Sequence, residues 1–266
     1  YWDELGDIGG YPGASMLENT ITSVSGKKDY TDPFFRRGAA LTLRGGEAGG
    51  LAVRLRVEEH VGAYDVVSDD PTDTEFRPVR TVHEGVLGAL GMDVPVSLPL
   101  GMRGDVRGEL AHLDGRTFGS VSGEALWDVR HPARSWSAEL SLSGGALTSE
   151  APAQSLYLLG GRWTLPGHDY RTFVGDRYWL LRGEATLPLR APYVGVRAIG
   201  AVGATHLGSR GLPPDWTARD SGGVRASLGA GLSFGWDAFR VDLARGVPDG
   251  SWEALFSVAR EFRSWL

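Results

Sequence analysis

The reactive side chains of this 266-residue chain do not assemble into a familiar catalytic constellation. There is no cysteine, so neither a disulfide framework nor a thiolate metal site is available. His83-Glu84 lacks the second histidine of a zinc-binding helix and sits in a strand-like stretch. No Gly-x-Ser-x-Gly elbow and no Gly-x-x-x-x-Gly-Lys-Ser/Thr phosphate loop occurs. The histidines do not cluster; His168 and His206 could touch a ligand, but filling polar space is the simpler role. What remains is a set of opposite charges at alternate positions. Asp105, Glu109, Glu124 and Glu184 stand against Arg54, Arg56, Arg103, Arg107, Arg182, Arg197 and Arg225. At that spacing they share a strand face and are expected to neutralise one another. The chemistry is structural: no enzyme activity, no cofactor and no metal is expected.

Such charges need strands to carry them, and the chain supplies a period of two almost everywhere after Phe34. Leu51, Val53, Leu55 and Val57 alternate with Ala52, Arg54, Arg56 and Glu58. Trp136, Ala138, Leu140 and Leu142 oppose Ser135, Ser137, Glu139 and Ser141. From Val224 to Trp236 the alternation is unbroken. The pattern predicts an all-β chain of about twelve strands. A weak first strand is expected over Glu18–Gly26. Others follow near Arg36–Arg44, Leu51–His60, Thr81–Met92, Met102–His112, Phe118–Arg130 and Ser135–Ala146. After a long break come Arg177–Arg190, Tyr193–His206, Val224–Trp236, Ala238–Arg245 and Trp252–Phe262. Residues 1–14 read as an N-terminal segment or linker, and 15–266 as the strand domain.

Alternation alone fits a soluble sandwich as well as a membrane barrel. Three features favour the barrel. The strands approach the ~9–11 residues of a tilted membrane strand. The apolar faces quoted above carry no charge, which at mid-bilayer would cost about 2–4 kcal/mol. Aromatics such as Trp127, Trp136, Trp179, Tyr193 and Trp252 fall near strand ends, as in interfacial girdles. The long connections, Val61–Arg80, Thr148–Asp176 and Leu207–Gly223, all fall on one side if both termini share the other. That predicts a closed antiparallel transmembrane β-barrel with its long loops extracellular. No stretch approaches the ~18 apolar residues of a membrane helix. A net charge of −6 gives no basic surface for nucleic acid. The 39 glycines, about twice the usual share, suit many turns and close strand contacts. The chain opens at Tyr1 without a leader and reads as a mature or trimmed product.

The segment from Leu156 to Arg190 carries a further signal. Gly160-Gly161 precedes Leu165-Pro166-Gly167-His168, then Gly175-Asp176, then a strand with Arg182, Glu184 and Pro188-Leu189. This resembles the BamA/TamA-type outer-membrane assembly barrels, the bacterial surface antigen family, over roughly Leu156–Leu266. There a Gly-Gly pair precedes a (Val/Leu)-Arg-Gly-(Phe/Tyr) loop motif, and a strand bearing Glu follows. The resemblance implies that the loop folds back into the lumen against a wall carrying Glu184, Arg182 and Arg197. It implies that Phe256, Phe262 and Trp265 act as a C-terminal assembly signal. Two departures stand out: Pro166 replaces the motif Arg and His168 the aromatic. The acidic wall residue that the Arg meets in the family is also missing from Gly200-Ala201-Val202-Gly203. Losing both halves of an ion pair is coherent, because one alone would be stranded. It predicts a loop held by other means.

The function implied is insertion or translocation of proteins at a bacterial outer membrane, through a weak seam between first and last strands. Membrane lipids and other outer-membrane or surface proteins are the expected partners. The alternatives are a non-catalytic anchor or binding barrel in a surface complex, the barrel domain of a larger protein, and a small pore.

Overall fold

The structure is a computed structural model describing residues 1–9, 31–46, 50–63, 79–131, 136–148, 150–191, 193–209, 211–235 and 237–258. Among these residues there is no α-helix. The strands are β1 (Trp2–Asp7), β2 (Pro33–Arg44), β3 (Ala52–Gly62), β4 (Gly85–Ser97), β5 (Arg103–Leu113), β6 (Arg116–His131) and β7 (Trp136–Leu147). A small ribbon, β8 (Tyr157–Leu159) with β9 (Phe173–Gly175), lies within the connection that follows. Then come β10 (Arg177–Arg190), β11 (Val194–His206), β12 (Arg225–Phe234), β13 (Phe239–Val247) and β14 (Trp252–Val258). All but the ribbon form one twelve-stranded antiparallel sheet in chain order, with β1 and β14 as its edges. The long connections, those after β1, β3, β7 and β11, all leave from and return to one end of the sheet.

Two elements differ from the alternation reading. The expected strand over Glu18–Gly26 lies outside the described residues; the partner of β2 is instead Trp2–Asp7, inside the segment read as a linker. This strand carries Asp3, Glu4 and Asp7 and shows no apolar stripe. It is placed by long-range ion pairs, Glu4 with Arg36 at 2.6 Å and Asp3 with Arg37 at 3.6 Å, which a local pattern does not register. The second difference is β4, which begins at Gly85 rather than Thr81 and runs through Pro95 to Ser97. Proline is tolerated there because pairing with β3 stops at Asp93 while pairing with β5 continues to Ser97. Past Asp93 the strand is paired on one side only, an edge-like position of the kind in which proline is tolerated.

Apart from β1, the strands of the sheet have a polar and an apolar face, and the apolar stripes do not meet in a dry middle. Leu41, Leu55, Leu90, Leu110 and Leu228 are each more than half exposed on the outer face. Cross-strand register makes them contiguous: Leu41, Leu55, Leu90 and Leu110 are successive partners across β2 to β5. A soluble sheet would bury such a belt. The belt is interrupted near β1, where Asp3, Arg37 and Glu59 are successive outward partners.

The sheet curls. Residues of β5, β6 and β7 and of β10 to β14 line a single cavity of about 1060 Å³ on the polar side. Strands so far apart in the order can do this only if the sheet wraps around it.

Candidate functional site

The site is the connection from Thr148 to Asp176 and the surfaces it touches. Its apolar residues are buried although the sheet's own stripes point outward. Leu156, Leu159, Leu165 and Val174 are fully buried. Leu156, Leu158 and Val174 pack with Ile8, Phe34, Val82, Trp216 and Ala218. Leu159, Leu165 and Phe173 pack with Leu180 and Ala201 of the wall. The loop therefore brings a dry core of its own to the long-loop end of the sheet. The segment 207–224 joins it: Val174 N–H donates to Arg219 O at 2.8 Å, and Trp216 Nε1–H donates to Thr81 O at 3.0 Å.

Glycine pairs shape this loop. Gly160 has φ +114°, and a Cβ there would lie 3.1 Å from Thr172 N and 3.2 Å from Arg171 N. Only glycine lets the outgoing and returning halves approach so closely. Thr164 Oγ1 accepts from Gly160 N–H at 2.8 Å, and Gly161 N–H donates to His168 O at 2.9 Å. Gly175 is buried against the His206 backbone. Asp176 closes the loop by accepting from Leu147 N–H at its carbonyl, 2.7 Å, and from Gly208 N–H at Oδ2, 3.2 Å.

The tip, Leu165-Pro166-Gly167-His168, reaches the far strands. Gly167 N–H donates to Glu253 Oε2 at 2.8 Å, and Ser251 N–H donates back to Gly167 O at 2.7 Å. His168 Nε2 lies 3.1 Å from Ala226 O, and its ring meets Phe173 edge-on. Burial pushes the His168 pKa down, outweighing the carbonyl contact that favours its charged form. Arg162 donates to the Phe256 carbonyl of β14. Arg171, on the other side of the tip, donates to both carboxylate oxygens of Asp7 at 2.7 and 2.6 Å and to Asp32 at 2.9 Å. Burial opposes its charge, but the Asp7 hydrogen bonds and the Asp7 and Asp32 charges prevail, so its pKa lies above the ordinary arginine value. Tyr157 is half-buried beside Tyr178, and burial pushes its hydroxyl up to about 12.

The wall below is a charge network. Glu184 meets Arg182 at 3.2 Å, Arg197 at 2.9 Å and Arg240 at 3.4 Å. Arg197 also bonds Asp242 at 3.1 Å and Thr186 at 3.1 Å, while Arg240 bonds Asp237 at 2.6 Å. Arg182 turns up to the loop and donates to Trp163 O at 2.6 Å.

The structure places Glu184, Arg182 and Arg197 side by side, and Pro166 shares the cavity with them. The tip's polar bonds, however, go to β12 and β14 and the turn between β13 and β14, not to Glu184. Phe256 faces outward and stacks on Phe239 at 6.4 Å; Phe262 and Trp265 lie outside the described residues. Arg162, Arg171, Asp7, Asp32 and Glu253 were not singled out from sequence. A signal for the first two was present: arginines inside a run of otherwise apolar loop residues require buried partners.

Fold and site together define, among the described residues, an all-β structure whose twelve-stranded antiparallel sheet curls around a polar cavity, an arrangement that fits a β-barrel. Among solved structures it is similar to CdiB from Acinetobacter baumannii, at 14% identity and TM-score 0.53 over 84% of this chain and 41% of that one. It is also similar to the crystal structure of BamA from Haemophilus ducreyi lacking POTRA domains 1–3, at 14% identity and TM-score 0.57 over 85% of this chain and 55% of that one. At that identity the likeness is one of fold. The chain spans about two-fifths and about half the length of these two structures. No family model and no curated protein matches it.

Proposed function

We propose that the chain forms a closed transmembrane β-barrel of the bacterial outer membrane that works in inserting or translocating other proteins. The observation that carries this reading is the seating of the Thr148–Asp176 connection on the polar face, with an apolar belt left exposed outside. In hydrocarbon every backbone N–H and C=O must be paired within the protein, which favours a ring over an open sheet. Twelve strands at ~4.8 Å spacing and ~40° tilt make a ring about 24 Å across the backbone. The connection occupies its extracellular half as an infolded loop. Residues 1–9 belong to the ring and not to a linker. Its lipid partners are the acyl chains against the belt; its protein partners meet the edges of β1 and β14, where a strand edge can template an incoming strand. The likeness to a CdiB and a BamA structure supports this placement, as does the spacing of the loop motif.

A second reading, a non-catalytic anchor or binding barrel, is favoured by Pro166 and His168 standing where the resembled family has Arg and an aromatic. Depletion in the native host separates the two. An insertion factor lowers many unrelated outer-membrane proteins together, whereas an anchor lowers only its own complex. Loss of a single partner set with an otherwise normal outer membrane would refute the insertion reading.

A further inference from the structure

The loop tip touches both edges of the sheet within a few residues. At Gly167 it is bonded to Ser251 and Glu253 beside and within β14, with Arg162 on the Phe256 carbonyl of the same strand. At Arg171 it is bonded to Asp7 at the end of β1. Four residues span at most about 14 Å, to which one arginine side chain is added. In a flat sheet the edges of twelve strands would stand about 50 Å apart. The tip therefore reaches both edge strands, which come within its span only because the sheet is wrapped, and it does so without belonging to either.

We infer that this loop is a clasp across the seam, and that the Arg171–Asp7 fork is its exchangeable contact. The inference rests on the barrel reading above. The two sides are built differently. On the β14 side, backbone meets backbone: Ser251 N–H bonds Gly167 O, and a Cβ on Gly246 or Gly250 would stand 2.7 Å from that same oxygen. Such a contact has no slack. On the β1 side the polar hold is a forked pair between Arg171 and Asp7, beside Ile8, which is buried against Leu156, Leu158 and Val174 of the loop. Asp7 is about a quarter exposed, whereas Asp32, the other carboxylate on Arg171, is buried. When Asp7 leaves, Arg171 keeps Asp32 at 2.9 Å and its carbonyl keeps Arg80. The guanidinium is thus never stranded, and the fork to Asp7 can open without the loop leaving β14. A carboxylate-bearing segment of an incoming chain is the chemistry that could take Asp7's place on the fork.

The chain has no cysteine of its own, so introduced pairs report cleanly. The full chain is folded into lipid vesicles with Leu5→Cys on β1 and Ala254→Cys on β14, both on the outer face, and treated with a flexible bis-maleimide. Cross-linking is expected in this background and is expected to fall several-fold when Asp7→Asn or Arg171→Gln is added. The double variant should fall no further than either single one, because both remove the same fork. Arg171→Lys, which keeps the charge but not the fork, should recover part of the yield. The clasp is overturned if Asp7→Asn keeps the full yield, or if the parent pair does not cross-link at all. The barrel reading is judged separately, by whether the protein without introduced cysteines runs as a compact band on an unboiled gel and shifts on boiling.

Discussion

Gly167→Ala tests the docking of the loop at its tightest point. Gly167 has φ +82°, a left-handed conformation that costs an L-residue about 1–2 kcal/mol. The added Cβ would stand 2.6 Å from Ser251 O and 2.8 Å from the Arg245 carbonyl carbon, both backbone atoms that cannot rotate aside. The tip must then lift, and two hydrogen bonds go with it. Gly167 N–H to the Glu253 carboxylate is worth about 1.5–3 kcal/mol and Ser251 N–H to Gly167 O about 1 kcal/mol. The low end of that sum is about 3.5 kcal/mol, and half is discounted for tip motion that keeps part of the contact. About 2 kcal/mol remains, a roughly thirtyfold rise in the undocked population. Trypsin reads this directly, since Arg162 and Arg171 are buried when the loop is docked. Cleavage in the folded protein tracks the open population when closing outpaces cutting. Fragments ending at Arg162 and Arg171 should therefore appear about thirtyfold faster in Gly167→Ala. Gly115→Ala is the control: φ is +79°, but nothing stands within 4 Å of the new Cβ, so loop cleavage should not change. If both variants are cut at the wild-type rate while remaining compact on an unboiled gel, the tip is not seated where the structure places it.

Two further outcomes follow from other parts of the molecule. Leu243→Arg puts a charge in the middle of the outer face of β13, a position about half exposed in the sheet alone. In lipid vesicles it should lower folding stability by about 2–4 kcal/mol, with Leu243→Ala well below that; equal urea midpoints for the two would count against a lipid-facing belt. His168 sets a pH dependence. Its pKa is lowered in the docked loop, so the docked state binds fewer protons than the undocked one below the ordinary value near 6.5. Docking is then independent of pH above about 6.5 and weakens as pH falls below it, levelling off under the lowered docked pKa. Hydrogen exchange in residues 160–175, corrected for intrinsic rates, should quicken between pH 7.5 and 5.5, and His168→Gln should abolish the change. A pH-independent wild-type loop would remove burial of the imidazole from the account.

The alternating stretches were legible because each is fixed by a local rule, apolar against polar at a period of two. β10 was read from Arg177 to Arg190 as it stands, and most other strands fall within a few residues of the alternation. β1 was not legible, since Trp-Asp-Glu-Leu-Gly-Asp contains no stripe and depends on arginines more than thirty residues away. The charge-free character of the outer face held for the residues that define the stripe of β3, Val53 to Val57, but two residues further Glu59 takes an outward position. The site was half legible. Glycine spacing marked the loop and its wall, because close backbone approach leaves a mark in sequence. The partners of the tip left none: Glu253 and Asp7 are single acids in polar surroundings, and only wrapping brings them to Gly167 and Arg171.

Proline rather than arginine at position 166 fits the charge balance of the wall. Glu184, Asp237 and Asp242 are already met by Arg182, Arg197 and Arg240, three carboxylates against three guanidiniums. Arg182, rising from the wall to Trp163 O, supplies from below the cationic link that an arginine at position 166 would have supplied from above. A fourth guanidinium would find each carboxylate of this network already paired, and an unpaired buried charge is costly. Pro166 avoids that cost. The anchoring is moved one residue along, to the backbone of Gly167, where Glu253 receives an N–H in place of a side chain. A backbone anchor cannot be exchanged for another side chain's. It holds the loop to β14 together with Arg162 on the Phe256 carbonyl, while Arg171 with Asp7 is an exchangeable ion pair at the opposite edge.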